Sequence, residues 1–514
     1  MNIVPDKTGS TPNYWSTWGV QVDVCKSDGS DWIEWNAPTR QLNEKLVFDQ
    51  PGCASHFYPR VRNDWYFLFD VGWDFAGDVD AEHERWHFGS IVPDAGKFPS
   101  FVGTPAERLC QLNDKIKALG WRGLALWISP QAVGDGHDGY DMPDIEREAY
   151  WHERARWSQQ AGIEYWKVDV GYHSGNEDYC RMLTRIAREE APGLLLEHAP
   201  MGGPFNDVPV PWENKDCLWA GRYRSPNGIC ERAIKFAGFS DVLRIYDVSS
   251  QLGIPTSLDR IAEMLAHGQV EPGARGLINC QDEVYIAAGL GCAIGTGRYP
   301  PLPGHNGMRD TYKDYLHRDD EIIRALRWQR LGPAFGIHEN VTTLSSTVLT
   351  DNWLFKAGDT WADWVIGKEI SQGAPAIIAR GLPLPDVRTT EAPPYVVAAR
   401  YPNNVTSIAT LPRTNSKNGR QQPLADISLN VGDGDGPIGV FGEYVSLTLN
   451  LDTPLGGRRL WGQDLAGDTA LDVTEQVDCT ERQIVLSGKL LKQIGLSAAS
   501  PNDRSAPGLV LQIV

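Results

Sequence analysis

The sequence predicts an α/β chain: a (β/α)8 TIM barrel over residues 1–340, followed by a C-terminal antiparallel, β-sandwich-like domain over 341–514. Three observations carry that expectation. Up to about residue 340, short apolar runs rich in aromatic and β-branched residues alternate with amphipathic helical stretches, the signature of repeated β-α units. Several of those helical stretches end on a glycine just before the next apolar run, as at Gly120 and Gly162, which is how a helix stops and returns to a sheet. Beyond that point the helical period fades, and runs such as YVVAARY and YVSLTLNL alternate with Gly, Pro, Asn and Asp clusters, the pattern of antiparallel strands and turns.

Strands are expected at 14–20, 65–71 (WYFLFDV), 122–128 (RGLALWI), 163–169 (IEYWKVD), 193–198 (GLLLEH), 242–247 (VLRIYD), 276–280 (GLINC) and 333–338 (PAFGIH). Helices are expected at 105–120, where Leu109, Leu112, Ile116 and Leu119 share one face, and at 147–162 and 318–332. The polar, glycine-rich segment 416–437 reads as a long loop inside the second domain.

The 66 acidic residues outnumber the 48 basic ones, so no broad cationic surface is available for phosphate backbones or anionic lipid, and neither nucleic acid nor a membrane is an expected partner. No apolar run approaches the ~18 residues of a membrane span. The first residues lack the basic start and apolar stretch of a signal peptide, and the nine cysteines show no CxxC spacing. Buried free thiols in a reduced, cytoplasmic protein are the expectation. Dinucleotide, phosphate-loop and zinc spacings are missing too, so neither cofactor nor metal is expected. Self-association into a homo-oligomer is compatible with the sequence. The 19 Trp, 17 Tyr and 14 Phe are mostly core material, yet aromatic planes also stack on the apolar faces of sugars.

In a β/α barrel the active site lies at the C-terminal ends of the strands. Polar groups close several strands here: Asp70, Asp169, Glu197 with His198, Asp247, and the run Gln281, Asp282, Glu283. One such acid can be a helix cap or a loop ion pair; like charges gathered at one mouth are retained for binding or catalysis. Lys167 lies two residues before Asp169 on a strand, so both side chains point to the same side. The ammonium would keep Asp169 ionised, as a nucleophile must be.

The motifs YWSTWG (14–19), FLFDVGW (67–73), KFPS (97–100), YWKVDVGY (165–172) and LRIYDVSS (243–250), in that order, resemble glycoside hydrolase families 27 and 36, the retaining α-galactosidases and their relatives. The barrel begins almost at once, which is closer to family 27. The resemblance implies Asp169 as nucleophile, Lys167 as a contact to sugar hydroxyls, and Asp247 as acid/base. Glu213 and Asp216, in the Trp-, Gly- and Arg-rich segment 203–232, are alternatives for the acid. Arg244 approximates a family arginine near the sugar 2-hydroxyl, and Glu197-His198 occupies the position that reads the 2-position. Trp15, Trp18, Trp73 and Trp127 are candidates for pocket walls or, equally, for core.

The chain departs from the family at sugar recognition. Two adjacent aspartates close the second strand of the α-galactosidases, whereas Asp70 is followed here by Val71. Galactose is therefore in question. The implied function is an exo-acting retaining α-glycosidase on an oligosaccharide or glycoside. The alternatives are the same machinery on an α-glucan or another non-galactose sugar, a transglycosylase, or a catalytically silent carbohydrate-binding barrel.

Overall fold

The computed structural model describes residues 1–27, 36–75, 83–200, 231–245, 251–302, 317–359 and 365–514. Eight parallel strands form one sheet: β1 Asn13–Ser16, β2 Trp65–Phe69, β3 Leu124–Ile128, β4 Tyr165–Val168, β5 Leu195–His198, β6 Val242–Arg244, β7 Leu277–Asn279 and β8 Gly295–Thr296. Neighbours run in chain order from β1 to β7, and β8 pairs with β1. A parallel bridge between Asn279 and Ala293 joins β7 to the residues leading into β8 and closes the ring. Each strand leads into a helix: α1 Trp18–Ser27, α2 Pro105–Ala118, α3 Asp144–Ala161, α4 Glu177–Glu190, α5 Glu231–Phe239, α6 Gly253–His267, α7 Val284–Leu290 and α8 Asp320–Trp328.

Local chemistry sets the helix ends. Thr104 and Glu107 form a reciprocal capping box before α2, with the Thr104 N–H donating to Glu107 Oε2 at 2.8 Å. Gly162 ends α3 in the left-handed region at φ 64°, where a Cβ is penalised.

The eighth strand is not where the sequence predicts it. The run 333–338 is irregular: the Phe335 N–H donates to Gly291 O and the Ile337 N–H to Gly276 O, so it passes the edges of β7 and β8 at their N-terminal ends. β8 itself lies in the glycine-rich stretch Cys292–Gly297. Glycine is required at 295 because a Cβ there would lie 2.5 Å from Tyr14 Cζ and 2.6 Å from Asn279 Nδ2. The barrel interior is filled at that level by Tyr14, and its neighbour has to be small.

The C-terminal region holds an eight-stranded sheet facing a five-stranded one, with a core that includes Ile408, Val440, Leu447, Leu449 and Leu511. It is mixed rather than wholly antiparallel. Ile377–Arg380 pairs parallel with Tyr395–Arg400, Thr406–Leu411 with Ile438–Phe441, and Asp426–Asn430 with Ser446–Asn450. Parallel neighbours need a crossover. In each of these pairs the intervening chain contributes a strand to the other sheet, so the sandwich itself supplies the crossover.

Candidate active site

Side chains alternate along a strand, so Tyr165, Lys167 and Asp169 share the inward side of β4 and its end. Likewise Tyr14 and Ser16 face inward from β1, Leu68 and Asp70 from β2, Ala125 and Trp127 from β3, and Val242 and Arg244 from β6. At the C-terminal mouth these positions converge on Asp169. The Arg244 Nη2 donates to Asp169 Oδ1 at 2.8 Å, Lys167 Nζ lies 3.0 Å from Oδ2, and the Trp127 Nε1–H donates to Oδ2 at 3.3 Å. Lys167 also donates to Asp70 Oδ2 at 2.9 Å, which accepts from the Ser16 hydroxyl at 2.8 Å as well.

All of these groups are buried; Asp169 retains 6% of its surface. Burial pushes the Asp169 carboxyl up, but Arg244 and then Lys167 outweigh it and hold the group below the usual carboxylate range. Burial likewise lowers Lys167, while Asp70 and Asp169 raise it by more. The result is an ionised carboxylate with two cations in a dry setting, where electrostatic interactions are strong. A carboxylate has about four lone-pair sites. Among the described residues three donors reach Asp169, one fewer than those sites.

Glu197 sits one level deeper, level with Lys167 in the β4–β5 register. It is fully buried and accepts from Tyr14 Oη at 3.0 Å, Tyr165 Oη at 2.8 Å and Asn279 Nδ2 at 2.5 Å. Burial pushes its pKa up. These contacts make it the centre of a polar network in the barrel core, below the mouth. Tyr14, Tyr165, Asn279 and Ser16 were not singled out from the sequence, although counting by twos back from Asp169 reaches Tyr165.

Three sequence candidates lie elsewhere. His198 points outward from β5, within 2.9 Å of Thr184 Oγ1 on α4 and edge-on to Phe236 and Phe239. Trp15 also points outward: it packs on Phe57, Phe67 and Trp121 and donates to Arg298 O. Trp73 is fully buried in the same outer core and donates to Trp127 O at 2.9 Å. Of the four tryptophans, Trp127 faces Asp169, and Trp18 packs half-buried against the barrel-interior cluster. Of the polar residues after β7, Asp282 accepts from the Thr296 hydroxyl and so braces β8, Glu283 stands at the position preceding α7, and Gln281 Oε1 lies 3.5 Å from Tyr14 Oη. Asp247, Glu213 and Asp216 lie outside the described residues.

No family model and no curated protein matches the chain. Solved structures do. A GH27 β-L-arabinopyranosidase from Geobacillus stearothermophilus, in complex with arabinose, matches over 98% of this chain and 97% of its own, with 11% identity and a TM-score of 0.40. A protein from Bacillus halodurans C-125, provisionally assigned as an α-N-acetylgalactosaminidase, matches over 100% and 99%, with 11% identity and a TM-score of 0.41. A GH18 chitinase from Pseudoalteromonas aurantia matches over 56% and 93%, with 11% identity and a TM-score of 0.27. Likeness at this level adds nothing to the assignment of the site, which rests on its geometry.

Proposed function

We propose that the protein is a retaining glycoside hydrolase that removes a terminal α-linked sugar, with Asp169 as nucleophile and Asp247 as acid/base. The observation that carries this reading is the Asp169 carboxylate at the end of β4, held ionised between Arg244 and Lys167 at the barrel mouth. In the first step an Asp169 oxygen bonds to the anomeric carbon as the glycosidic C–O bond breaks, and the leaving oxygen takes the Asp247 proton. In the second, Asp247 takes a proton from water, the water oxygen bonds to the anomeric carbon, and the Asp169 ester breaks. Lys167 and Arg244 favour the ionised carboxylate, so they keep Asp169 ready for attack and make it a better leaving group when the ester breaks, and the Lys167–Asp70 pair offers acceptors and donors to sugar hydroxyls.

The sugar is inferred to be other than galactose. Val71 is buried in one apolar cluster with Phe88 and Trp127, and such a corner leaves a sugar hydroxyl unpaired at a cost of about 1–3 kcal/mol.

The test is a panel of nitrophenyl glycosides followed by NMR of the first-formed product. Retained anomeric configuration, and loss of turnover in Asp169→Asn on the order of 10^4-fold, support the proposal. An inverted product removes Asp169 from the nucleophile's role, and inactivity of the wild type toward every glycoside favours the silent binding barrel.

A further inference from the structure

At the rim of the barrel, the connections after β3 and β4 meet around a histidine that the proposed chemistry does not use. The His173 side chain is 8% exposed, and its ring stacks on Tyr179 with centroids 4.1 Å apart and planes at 14°. The imidazole is therefore fixed in direction. Its Nε2 is buried and, among the described residues, has no partner in hydrogen-bonding geometry; it points between two carboxylates, 3.5 Å from Asp135 Oδ2 and 3.4 Å from Asp141 Oδ1. The three ligand atoms all lie within 4.8 Å of one another.

The two separations from Nε2 are long for a hydrogen bond and suit a coordination shell. For a tetrahedral ion with bonds of about 2.0–2.1 Å, neighbouring ligand atoms stand roughly 3.3–3.4 Å apart. Asp135 is already oriented: the Ala132 N–H donates to Oδ2 and the Met142 N–H to Oδ1, each at 2.8 Å. Backbone donors of this kind fix a ligating carboxylate in place. Asp141 is half-exposed, which provides an entry path and room for water as a fourth ligand.

We propose that Asp135, Asp141 and His173 bind one divalent transition-metal ion, of which zinc is the representative, and that the ion staples the β3 and β4 connections at the rim. The imidazole ligand selects against calcium and magnesium, which take oxygen shells. Arg147 opposes the ion, since its Nη2 lies 2.6 Å from Asp141 Oδ1. It also binds Asp144 Oδ1 and Met142 O and keeps those partners when Asp141 turns its other oxygen to the arginine. Moderate affinity follows from that competition. The ligands come from two separate loops at 135, 141 and 173, a spacing that matches no zinc motif. The site is independent of Asp169 and of the proposed reaction.

The experiment strips the full-length protein with a chelator and titrates it with Zn2+ against a chromophoric competitor. His173→Gln removes the central ligand. Asp141→Asn is the second variant, because a half-exposed side chain is tolerated by the fold. His137→Gln is the control, since His83, His87 and His137 gather nearby with ring centroids 4.7 and 6.2 Å from His137 and could take up zinc adventitiously. The proposal expects one ion per chain, with binding weakened by about tenfold or more in both His173→Gln and Asp141→Asn and unchanged in His137→Gln. No stoichiometric uptake by the wild type, unchanged binding in the first two variants, or loss confined to His137→Gln would overturn it.

Discussion

Asp169 is tied by three donors, so its side chain serves the fold as well as any reaction. Deleting one partner of a buried ion pair commonly destabilises by ~3–5 kcal/mol. Asp169→Ala, which takes one partner from Arg244 and one from Lys167, is expected to lower Tm measurably, and Asp169→Asn, which keeps an acceptor oxygen, to lower it less. Equal melting temperatures for both variants and the wild type would show that the cations have other partners. The proposed sugar preference is tested at one residue too. A second carboxylate at position 71 restores the missing acceptor, so Val71→Asp should shift relative kcat/KM toward α-galactosides by about ten- to a hundredfold. A wild type that already prefers galactosides would show that another group supplies the contact.

At the scale of elements, β5 shows what alternation does. Adjacent residues Glu197 and His198 face opposite ways, one into the barrel and one into the helix layer, and burial has opposite consequences for charge. It raises the Glu197 carboxyl and, with Arg188 assisting, lowers His198 to about 3. An unfolded histidine titrates near pH 6.5, at about 1.4 kcal/mol per pH unit of difference. Between those values the unfolded chain binds a proton that the folded chain does not, so stability rises with pH and is lost as pH falls from ~6.5 toward 3. His198→Gln, which keeps a partner for Thr184, should show a flatter fall in denaturant midpoint between about pH 6.5 and 5. A parallel fall would mean that His198 is protonated in the fold.

β8 responds to size rather than charge. Gly295→Ala drives a methyl into Tyr14 and Asn279, an overpacking cost of about 1–3 kcal/mol that chemical denaturation can measure. The same strand marks the limit of what the sequence made legible. Strands β1 to β7 were visible because each carries an aromatic or aliphatic run, although the run read for β1, 14–20, continues into what is helix from Trp18. β8 is two residues long among glycines, and its pairing is dictated by the bulk of Tyr14, a residue far away in the chain. The Lys167–Asp169 pairing was legible from spacing alone. Trp15 and Trp18 were not told apart, although Trp15 alternates out of step with Tyr14 and Ser16 on β1 and Trp18 already opens α1. Arg244 was placed near the sugar, but its ion pair with Asp169 depends on how β4 and β6 curve toward each other.

Over the whole molecule, we propose that the boundary near residue 340 divides the sequence but not the core. Trp328 on α8 packs against Tyr401 and Phe441, and Arg324 forms a buried two-pronged ion pair with Asp464 at 2.9 and 3.1 Å. Arg380 reaches back to Leu290 O and Gly336 O. A chain truncated after residue 340 loses all of these and exposes Trp328. It should be insoluble or lack a cooperative melt, whereas the intact protein melts in one transition. A soluble 1–340 fragment with a native-like melt would show that the barrel stands alone.

The seam of the barrel also has a consequence for birth on the ribosome. β1 leaves the exit tunnel first, yet one of its two neighbours is β8, at Gly295–Thr296. At about 5–20 residues per second, Tyr14 and Trp15 wait tens of seconds with one strand edge unpaired. Farther along, Asn2 Oδ1 accepts from Gln463 Nε2, and the Ile3 N–H donates to Gln463 Oε1, so these two bonds form only after Gln463 has been made. Until β8 is made the edge of β1 that pairs with it has no strand to pair with, and the yield in a cell-free translation should depend on holdase chaperones more than the stability of the finished protein would suggest.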